Sequence, residues 1–189
     1  VQNAPGAAAC SMCTTGKFQA LIGQVECMDC PPGSVAPTMG ADDCTDCPMG
    51  YAQDKTAQGS CLPCFPGRVG PAKQMTECVI CEAGRFMDTS TSIAENCKLC
   101  PSGYYQDANE RMSCKQCMPG RFNVGEGGSN CGLCPAHTYS IMTNQSCTLC
   151  PAGYQASSPG SAFCINCEAG SVSVAGARCT RCSACKFAQ

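Results

Sequence analysis

Short apolar stretches alternate with longer polar stretches along the whole chain. Small and polar residues fill the intervals, as in segments 54–60 and 125–130. Apolar stretches this short suit strands of a few residues, and the polar segments suit hairpin tips. The pattern predicts short two-stranded ribbons, little helix and much irregular chain. One recurring apolar slot holds Phe18, Val35, Val69, Phe86, Tyr105, Phe122, Tyr139 and Val172, and Tyr51, Tyr104 and Tyr154 lie one residue earlier.

A tight turn is predicted before each of these apolar positions. The local phrase is Cys-Pro-x-Gly-aromatic or a close variant, as in segments 47–51 and 150–154. Proline fixes φ and the glycine permits a positive φ, so the pair indicates a turn that enters a strand and excludes a helix there. His137 replaces this glycine in one copy, and we interpret it as an exposed turn variant. The glycines are Gly16, Gly33, Gly50, Gly67, Gly84, Gly103, Gly120, Gly153 and Gly170.

Cysteine doublets of the form Cys-x-x-Cys set the period of this pattern. They occur eleven times, and most of them are 17 residues apart. A fixed period of this size is typical of a stacked repeat in which each unit contacts mainly its neighbours. We therefore predict an elongated rod of about ten tandem units over residues 10–185, a flexible or docking lead over residues 1–9, and a tail over residues 186–189.

Composition favours a small disulfide-rich fold. Cysteine accounts for 23 of the 189 residues, while Leu, Ile, Val and Phe together number only 24. So few apolar side chains cannot offset the entropy of ordering the chain, which is about 1–2 kcal/mol per residue. A disulfide that closes a loop of about 15 residues contributes roughly 3 kcal/mol. Cysteine use at this level also predicts an oxidising compartment, so we expect the protein to be extracellular or at the cell surface.

Spacing alone leaves two disulfide patterns open. One is a ladder, in which the second cysteine of each doublet joins the first cysteine of the next. The other joins the first cysteines of neighbouring doublets to each other and likewise the second cysteines. Every inner doublet would then have to bond to the doublets on both sides of it. A uniform array favours the ladder, whose pairs are Cys13–Cys27, Cys30–Cys44, Cys47–Cys61, Cys64–Cys78, Cys81–Cys97, Cys100–Cys114, Cys117–Cys131, Cys134–Cys147, Cys150–Cys164 and Cys167–Cys179.

Three cysteines fall outside the ladder: Cys10, Cys182 and Cys185. In one interpretation Cys182 and Cys185 close the terminus and Cys10 pairs with a partner not present in the chain. In the other, Cys10 crosslinks to another chain in an assembly, as an odd cysteine count indicates.

Other cysteine chemistry fits the sequence less well. Paired doublets also build zinc ribbons, but an unbroken array with a single histidine argues against metal. A thioredoxin-type site requires its doublet at the start of a helix, whereas here turn residues follow it. Segment 179–185 lacks the fourth cysteine of an iron–sulfur run. No nucleophile–base pair can be recognised in the sequence, so we expect the protein not to be an enzyme and to bind no cofactor and no metal.

Net charge, hydrophobicity and glycosylation motifs limit the kinds of partner that we expect. A net charge of −2 without a basic stripe argues against nucleic acid. No apolar run approaches the roughly 20 residues of a membrane span. Because the chain opens at Val1, we interpret it as a mature form or fragment whose signal was removed. Asn144-Gln145-Ser146 is an N-glycosylation sequon, and segment 89–92 is a weaker candidate for O-linked sugar.

The phrase Cys-x-x-Cys-Pro-x-Gly-Tyr at this period resembles the ephrin-receptor-like cysteine-rich repeat and, more loosely, the first half-module of tumour necrosis factor receptor repeats. The best copies are segments 44–51, 97–105 and 147–154. The resemblance implies loops joining neighbouring cysteines and a rod-like extracellular region, as in surface and secreted proteins of protists and algae. Departures lie at the proline slot, where Phe65, Glu82, Met118 and Glu168 stand.

Two functions remain open from the sequence. The first is an extracellular structural or assembly protein, a coat, spacer or filament subunit that contacts other copies of itself or other extracellular proteins. The second is the ligand-binding ectodomain of a cell-surface receptor. Arg68, Arg85 and Arg121 follow the turn glycine in three units and hint at a recurring surface stripe. Such repeats occur in unrelated proteins, so architecture is better indicated than function.

Overall fold

The computed structural model describes residues 11–88, 95–141 and 146–183. These residues contain no helix, and their regular structure consists of strands of two residues each. The strands are β1 (Lys17–Phe18), β2 (Met28–Asp29), β3 (Ser34–Val35), β4 (Thr45–Asp46), β5 (Tyr51–Ala52), β6 (Leu62–Pro63), β7 (Arg68–Val69), β8 (Val79–Ile80), β9 (Arg85–Phe86), β10 (Lys98–Leu99), β11 (Tyr104–Tyr105), β12 (Lys115–Gln116), β13 (Arg121–Phe122), β14 (Gly132–Leu133), β15 (Thr138–Tyr139), β16 (Thr148–Leu149), β17 (Tyr154–Gln155), β18 (Ile165–Asn166), β19 (Ser171–Val172) and β20 (Thr180–Arg181).

Each odd-numbered strand pairs with the even-numbered strand that follows it. All ten pairs are antiparallel two-stranded ribbons, as between β1 and β2, where Lys17 faces Asp29. The first strand follows the predicted Pro-x-Gly turn, and the second consists of the two residues inside the next cysteine doublet. The predicted fold class, small and disulfide-rich with short hairpins and little helix, is therefore confirmed.

One ribbon and the disulfide at its base form one repeat, and we number these repeats 1 to 10 along the chain. Repeat 1 is the loop closed by Cys13–Cys27, and repeat 10 is the loop closed by Cys167–Cys179. Within each repeat the opening cysteine is followed three residues later by the turn glycine, or by His137 in repeat 8.

Cysteine is the commonest buried residue in the described ranges. The opening cysteines of eight repeats are at most 4% exposed, whereas long aliphatic side chains such as Ile22 and Leu62 lie at the surface. Aromatic residues in the recurring slot, such as Phe18 and Phe122, are half-buried. Covalent bridges rather than a packed apolar core therefore give each repeat its shape.

The chain divides into two compact units. Unit 1 comprises Val1–Cys81 and Met87–Cys97, and unit 2 comprises Glu82–Phe86 and Lys98–Gln189. Unit 1 includes a small cluster in which Val69, Cys81 and Met87 are buried and Cys97 packs against them. The elongated outline of the array stays a prediction from the sequence.

Candidate functional site

Ten disulfides join the pairs that the ladder predicts. Their Cα–Cα distances are 5.6–5.8 Å, and their sequence separations run from 12 to 16 residues. The variation in repeat length falls within these loops, where extra residues add little closure entropy. The bonds are Cys13–Cys27, Cys30–Cys44, Cys47–Cys61, Cys64–Cys78, Cys81–Cys97, Cys100–Cys114, Cys117–Cys131, Cys134–Cys147, Cys150–Cys164 and Cys167–Cys179.

Of the three cysteines outside the ladder, only Cys182 lies within the described residues. Cys182 is half-buried and forms no disulfide with another described residue, so the interpretation in which Cys182 and Cys185 close the terminus stays a prediction. Cys10 and Cys185 lie outside the described residues, as do Asn144 and segment 89–92. An intermolecular bond at Cys10 and a glycan at Asn144 therefore stay predictions.

The turn glycine links each repeat to the following one. In repeat 1 the Gly16 N–H donates to the Ala36 carbonyl at 2.8 Å, and the Gly16 carbonyl accepts from the Cys30 N–H at 3.0 Å. In repeat 7 Gly120 makes the same two bonds, to Ser140 and from Cys134, both at 2.9 Å. Because both bonds use only the backbone, neighbouring repeats dock in the same way whatever their side chains are.

His137 also makes both of these backbone bonds, with φ of +65° in the left-handed region. Its side chain is not the exposed one that the sequence predicted. The residue is half-buried, and its Nδ1 is fully buried without a hydrogen-bond partner among the described residues.

A second left-handed position, which we call the loop-tip residue, lies about ten residues after the opening cysteine. Its N–H donates to the opening cysteine of the preceding repeat, as from Ala57 to Cys30 at 2.9 Å. Its carbonyl lies over the turn glycine two repeats earlier, so that a Cβ on Gly16 would overlap the Ala57 oxygen. The loop-tip residues with positive φ are Gly23, Gly40, Ala57, Gln74, Glu110, Gly127, Gly160 and Gly176.

Repeats thus contact the next-but-one repeat as well as the next. The repeat period predicted contact mainly between neighbours and did not indicate this longer contact. Non-glycine residues occupy the position in repeats 3, 4 and 6, which hid the left-handed signal. The glycines at this slot in the other repeats could have revealed the left-handed loop tip, but not which repeat it contacts.

A buried glutamine, which was not predicted from the sequence, holds some of the loops closed. The Gln53 amide donates to the Ser60 carbonyl at 2.8 Å and accepts from the Lys55 N–H at 3.2 Å. Gln106 does the same with Ser113 and Ala108, at 2.6 and 3.2 Å. Both glutamines are at most 4% exposed. Their recurrence six residues after the opening cysteine was the available signal.

Surface charges form local pairs rather than a reactive centre. Lys17 lies 2.8 Å from Asp29 across the first ribbon, and Lys115 lies 2.6 Å from Asp107 in repeat 6. The hydrogen bond from Lys115 lowers the pKa of the Asp107 carboxyl below its ordinary value. Such exposed pairs contribute little to stability.

Concave regions among the described residues are open grooves. The groove in repeats 1 and 2 encloses about 580 Å³ and includes Met12, Ile22 and Asp42. Another, of about 600 Å³, follows residues 74–80 in repeat 4 beside Arg68. No group of three His, Cys, Asp or Glu side chains in the described ranges is placed to hold a metal ion. Shallow, open surfaces of this kind suit protein contacts better than small molecules.

Arg85 and Arg121 are exposed on the first strand of their ribbons, opposite Leu99 and Leu133. The Arg121 guanidinium donates to the Cys131 carbonyl at 3.1 Å, so this side chain has a role within its own repeat. No helix long and apolar enough to cross a bilayer occurs in the part of the chain that the structure describes.

Comparison with known families agrees with this architecture. The model of the tyrosine-protein kinase ephrin type A/B receptor-like family matches residues 3–43 and 88–130. No curated protein matches the chain. Repeats of this type are a non-catalytic extracellular module, and the many disulfides fit an extracellular location. The chain is a tandem array of cysteine-rich repeats, two segments of which match the ephrin receptor-like family and suggest a protein-interaction module.

Proposed function

We propose that the protein is an extracellular structural or assembly protein in which the repeat array acts as a coat, spacer or filament subunit. Its partners are other copies of itself or other extracellular proteins, and it acts at the cell surface or after secretion. It needs no cofactor and catalyses no reaction.

The observation that carries this proposal is the uniform docking of repeats. Turn residues from Gly16 to Gly153 make the same backbone bonds to the following repeat. Disulfides and backbone bonds do not depend on the surface side chains, so each repeat keeps its geometry and its docking to the next one while its loops vary. This is the property required of a scaffold that presents surfaces at fixed intervals.

The exposed surface supports contacts with proteins. Phe65 and Phe163 are 75% and 69% exposed, and Ile22 is fully exposed. Exposed aromatic and aliphatic side chains next to polar loops are common where proteins meet. The described grooves are open on one side and offer a small molecule little enclosure.

A receptor ectodomain is the second candidate. Exposed Arg85 and Arg121 beside aliphatic side chains favour it, since arginine is enriched in protein interfaces. The longest disulfide loop, Cys81–Cys97 with a separation of 16 residues, also departs from the uniform array. In this case one or two repeats carry the ligand contact rather than all of them.

An N-linked glycan at Asn144 is part of the proposal, since an extracellular sequon just before Cys147 is open to modification. Peptide N-glycosidase treatment of the native protein should lower its mass by one glycan, and an Asn144→Gln variant should show no change. If the untreated native protein already has the mass of the bare polypeptide, the proposed glycan at Asn144 is absent.

Negative-stain electron microscopy of native material is the deciding experiment for the function. Filaments or ordered layers labelled by an antibody to the chain support the assembly role. Native material that is wholly monomeric, with one saturable high-affinity partner recovered by crosslinking, supports the receptor instead.

A further inference from the structure

Segment 127–167 contains no lysine, arginine, aspartate or glutamate. All 12 basic and all 14 acidic residues of the chain lie outside it. The segment belongs to unit 2 and includes repeats 8 and 9. Depletion of charged residues is typical of the centre of a protein interface, because a covered charge must be paired or stays costly. Repeats 8 and 9 are therefore the part of the chain that can be covered without burying a charged side chain.

Repeat 9 exposes a phenylalanine that the repeat fold does not require. Phe163 lies immediately before the closing cysteine, Cys164, and its side chain is 69% exposed. The other nine repeats have a polar or charged residue at this slot. These residues are Glu26, Asp43, Ser60, Glu77, Asn96, Ser113, Asn130, Ser146 and Arg178. Since the fold forms with polar residues there, the exposed ring of Phe163 is not filler for its own disulfide loop.

An open groove of about 280 Å³ lies along this part of repeat 9. Phe163 and Ile165 line it together with Gln155, Ser158 and Ser161. Ile165, which is 51% exposed, lies opposite Gln155 in the ribbon formed by β17 and β18. A cavity of about 150 Å³ holds a benzene molecule, so the groove has room for a phenyl ring.

Hydrogen bonds within unit 2 hold the lining of this groove in place. The Ser161 hydroxyl donates to the Ser158 carbonyl at 2.7 Å. The side-chain oxygen of Gln155 accepts from the Cys179 N–H at 2.8 Å, which ties this side chain to the next repeat. A surface that is ordered before binding loses less conformational entropy when a partner covers it.

Leu133 extends the apolar surface beyond the groove. A Cβ on Gly160 would lie only 2.8 Å from Leu133 Cδ2, so this leucine contacts the loop tip between Ser158 and Ser161. Leu133 is 51% exposed. Arg121 lies opposite Leu133 in its ribbon and marks the edge of the uncharged surface. We call Leu133, Phe163, Ile165 and the groove the repeat 9 patch.

Grooves at the same place in two other repeats are charged. Each runs along the residues on either side of the closing cysteine. The groove in repeat 4 includes Arg68 and Glu77, and the groove in repeat 6 includes Glu110, Arg111 and Lys115. The groove itself is thus a property of the repeat, whereas its apolar and uncharged lining in repeat 9 is particular to that repeat.

We propose that the repeat 9 patch binds the same patch on a second copy of this chain. The two Phe163 rings lie side by side at a two-fold axis, each over the groove of the other copy. Two copies of an uncharged surface meet without like-charge repulsion, and neither leaves a charge of the other unpaired. The patch is small, so the dimer is reversible. This inference rests on the proposed assembly function and names the partner and the contact.

Sedimentation velocity of the intact, oxidised 189-residue chain tests the pairing. The mean mass should rise from that of the monomer towards that of the dimer as protein concentration increases. Raising the salt concentration should not weaken association, because the contact contains no charges for salt to screen. Non-reducing electrophoresis of each sample identifies any covalent species, and the association constant is taken from the reversible fraction.

Two substitutions remove the apolar side chains and use residues that the array already has at the same slots. Phe163→Ser gives repeat 9 the residue of repeats 3, 6 and 8, and Ile165→Thr gives it the residue of repeats 2, 8 and 10. Each should lower the association constant by about tenfold or more, since an aromatic or aliphatic anchor is lost. Every variant keeps Asn144, so any glycan is the same in all samples.

Phe65→Pro is the matched control. Phe65 is 75% exposed in repeat 4, outside the repeat 9 patch, and proline is the residue that the array has at this slot in other repeats. Removing this ring should leave the association constant unchanged. Hydrogen exchange should confirm that the control and the patch variants keep the protection of the wild-type protein.

A charge pair at residue 163 tests the two-fold axis. Phe163→Glu and Phe163→Arg place residues that other repeats have at this slot, and each alone should stay monomeric because like charges meet at the axis. An equimolar mixture at low salt should associate at least about tenfold more strongly than either variant alone. A mixture that stays monomeric contradicts the pairing of Phe163 with its own copy.

Wild-type protein that stays monomeric at every concentration overturns the inference, as does a control that weakens association as much as Phe163→Ser. The assembly role is judged separately, by the form of the native material in the microscope. If filaments or layers form equally well from the Phe163→Ser protein, the assembly function holds and the repeat 9 contact is wrong.

Discussion

The carbonyl of Gly160 lies over the α-carbon of Gly120, two repeats earlier in the chain. The same relationship joins Gly84 to Gly127 in unit 2 and Gly16 to Ala57 in unit 1. The turn glycine is therefore required for two reasons. It adopts a positive φ, and it leaves space for a backbone oxygen from a distant repeat.

Alanine at Gly120 should destabilise the array more than alanine at Gly153. Both positions have φ near +80°, so alanine at either costs about 1–2 kcal/mol in backbone strain. Among the described residues only Gly120 of these two faces a carbonyl, and displacing that carbonyl should cost about 1–3 kcal/mol more. Hydrogen exchange at the Cys134 N–H, which donates to the Gly120 carbonyl at 2.9 Å, reports the local loss.

The Cys167 N–H, bonded to the Gly153 carbonyl at 2.8 Å, is the matched reporter for the second variant. Exchange at Cys134 should accelerate at least about fivefold more in Gly120→Ala than exchange at Cys167 does in Gly153→Ala, since about 1 kcal/mol corresponds to a factor of about five. Equal acceleration would show that the contact with Gly160 adds nothing to the strain.

The period of the doublets and the Pro-x-Gly turns predicted the hairpins, because covalent spacing and turn chemistry are local. They also predicted the direction of each strand pair, which follows from a loop that folds back on itself. The contact between Gly120 and Gly160 was not predictable in the same way. It depends on how successive repeats rotate about one another, and no local residue preference encodes that rotation.

Gln106→Ala should open the loop of repeat 6. The side chain is 3% exposed and bridges the loop by bonding Ala108 and Ser113, so truncation removes two hydrogen bonds and leaves a small cavity. Loss of a buried hydrogen-bonding group costs about 1–3 kcal/mol. The Ala108 N–H should exchange about fivefold faster or more.

Gln116→Ala in the same repeat is the control. Gln116 is exposed and bonds the Tyr104 hydroxyl at 3.2 Å, so its loss should change stability by less than about 0.5 kcal/mol. If both variants accelerate exchange at Ala108 equally, Gln106 has no special role in closing the loop.

Glutamine at this position could have been found by aligning the repeats on their opening cysteines, because it recurs there as Gln19, Gln53 and Gln106. The side-chain bonds themselves could not, since other repeats use different residues at the slot. Asn123 and Ser140 there reach back to the preceding repeat, to the carbonyls of Tyr104 and Arg121.

The Asp107 carboxyl should titrate below its ordinary pKa of 3.8. The hydrogen bond from Lys115 is the main cause, and it favours the charged form. Because the folded pKa is lowered, the pair's favourable interaction is present above the ordinary pKa and is lost as pH falls through the lowered one. Carboxyl chemical shifts followed by NMR through this acidic range measure it.

Lys115→Gln should return the pKa of Asp107 towards 3.8, and Arg111→Gln should move it less, because Arg111 acts only through its more distant charge. A larger shift from the Arg111 variant would show that Lys115 does not hold Asp107 in solution.

Thiol counting tests the covalent ladder on which every repeat depends. Twenty of the 23 cysteines are in disulfides, so unfolding without a reductant should expose at most three thiols. A zinc-bound array would expose nearly all of them instead, because metal ligands are free thiolates.

A chelator should therefore leave hydrogen-exchange protection unchanged, whereas dithiothreitol should abolish it. Each loop would then lose a constraint of roughly 3 kcal/mol, with few apolar contacts to replace it. The same samples on a non-reducing gel test the proposed intermolecular bond at Cys10, since a lone monomer band contradicts it.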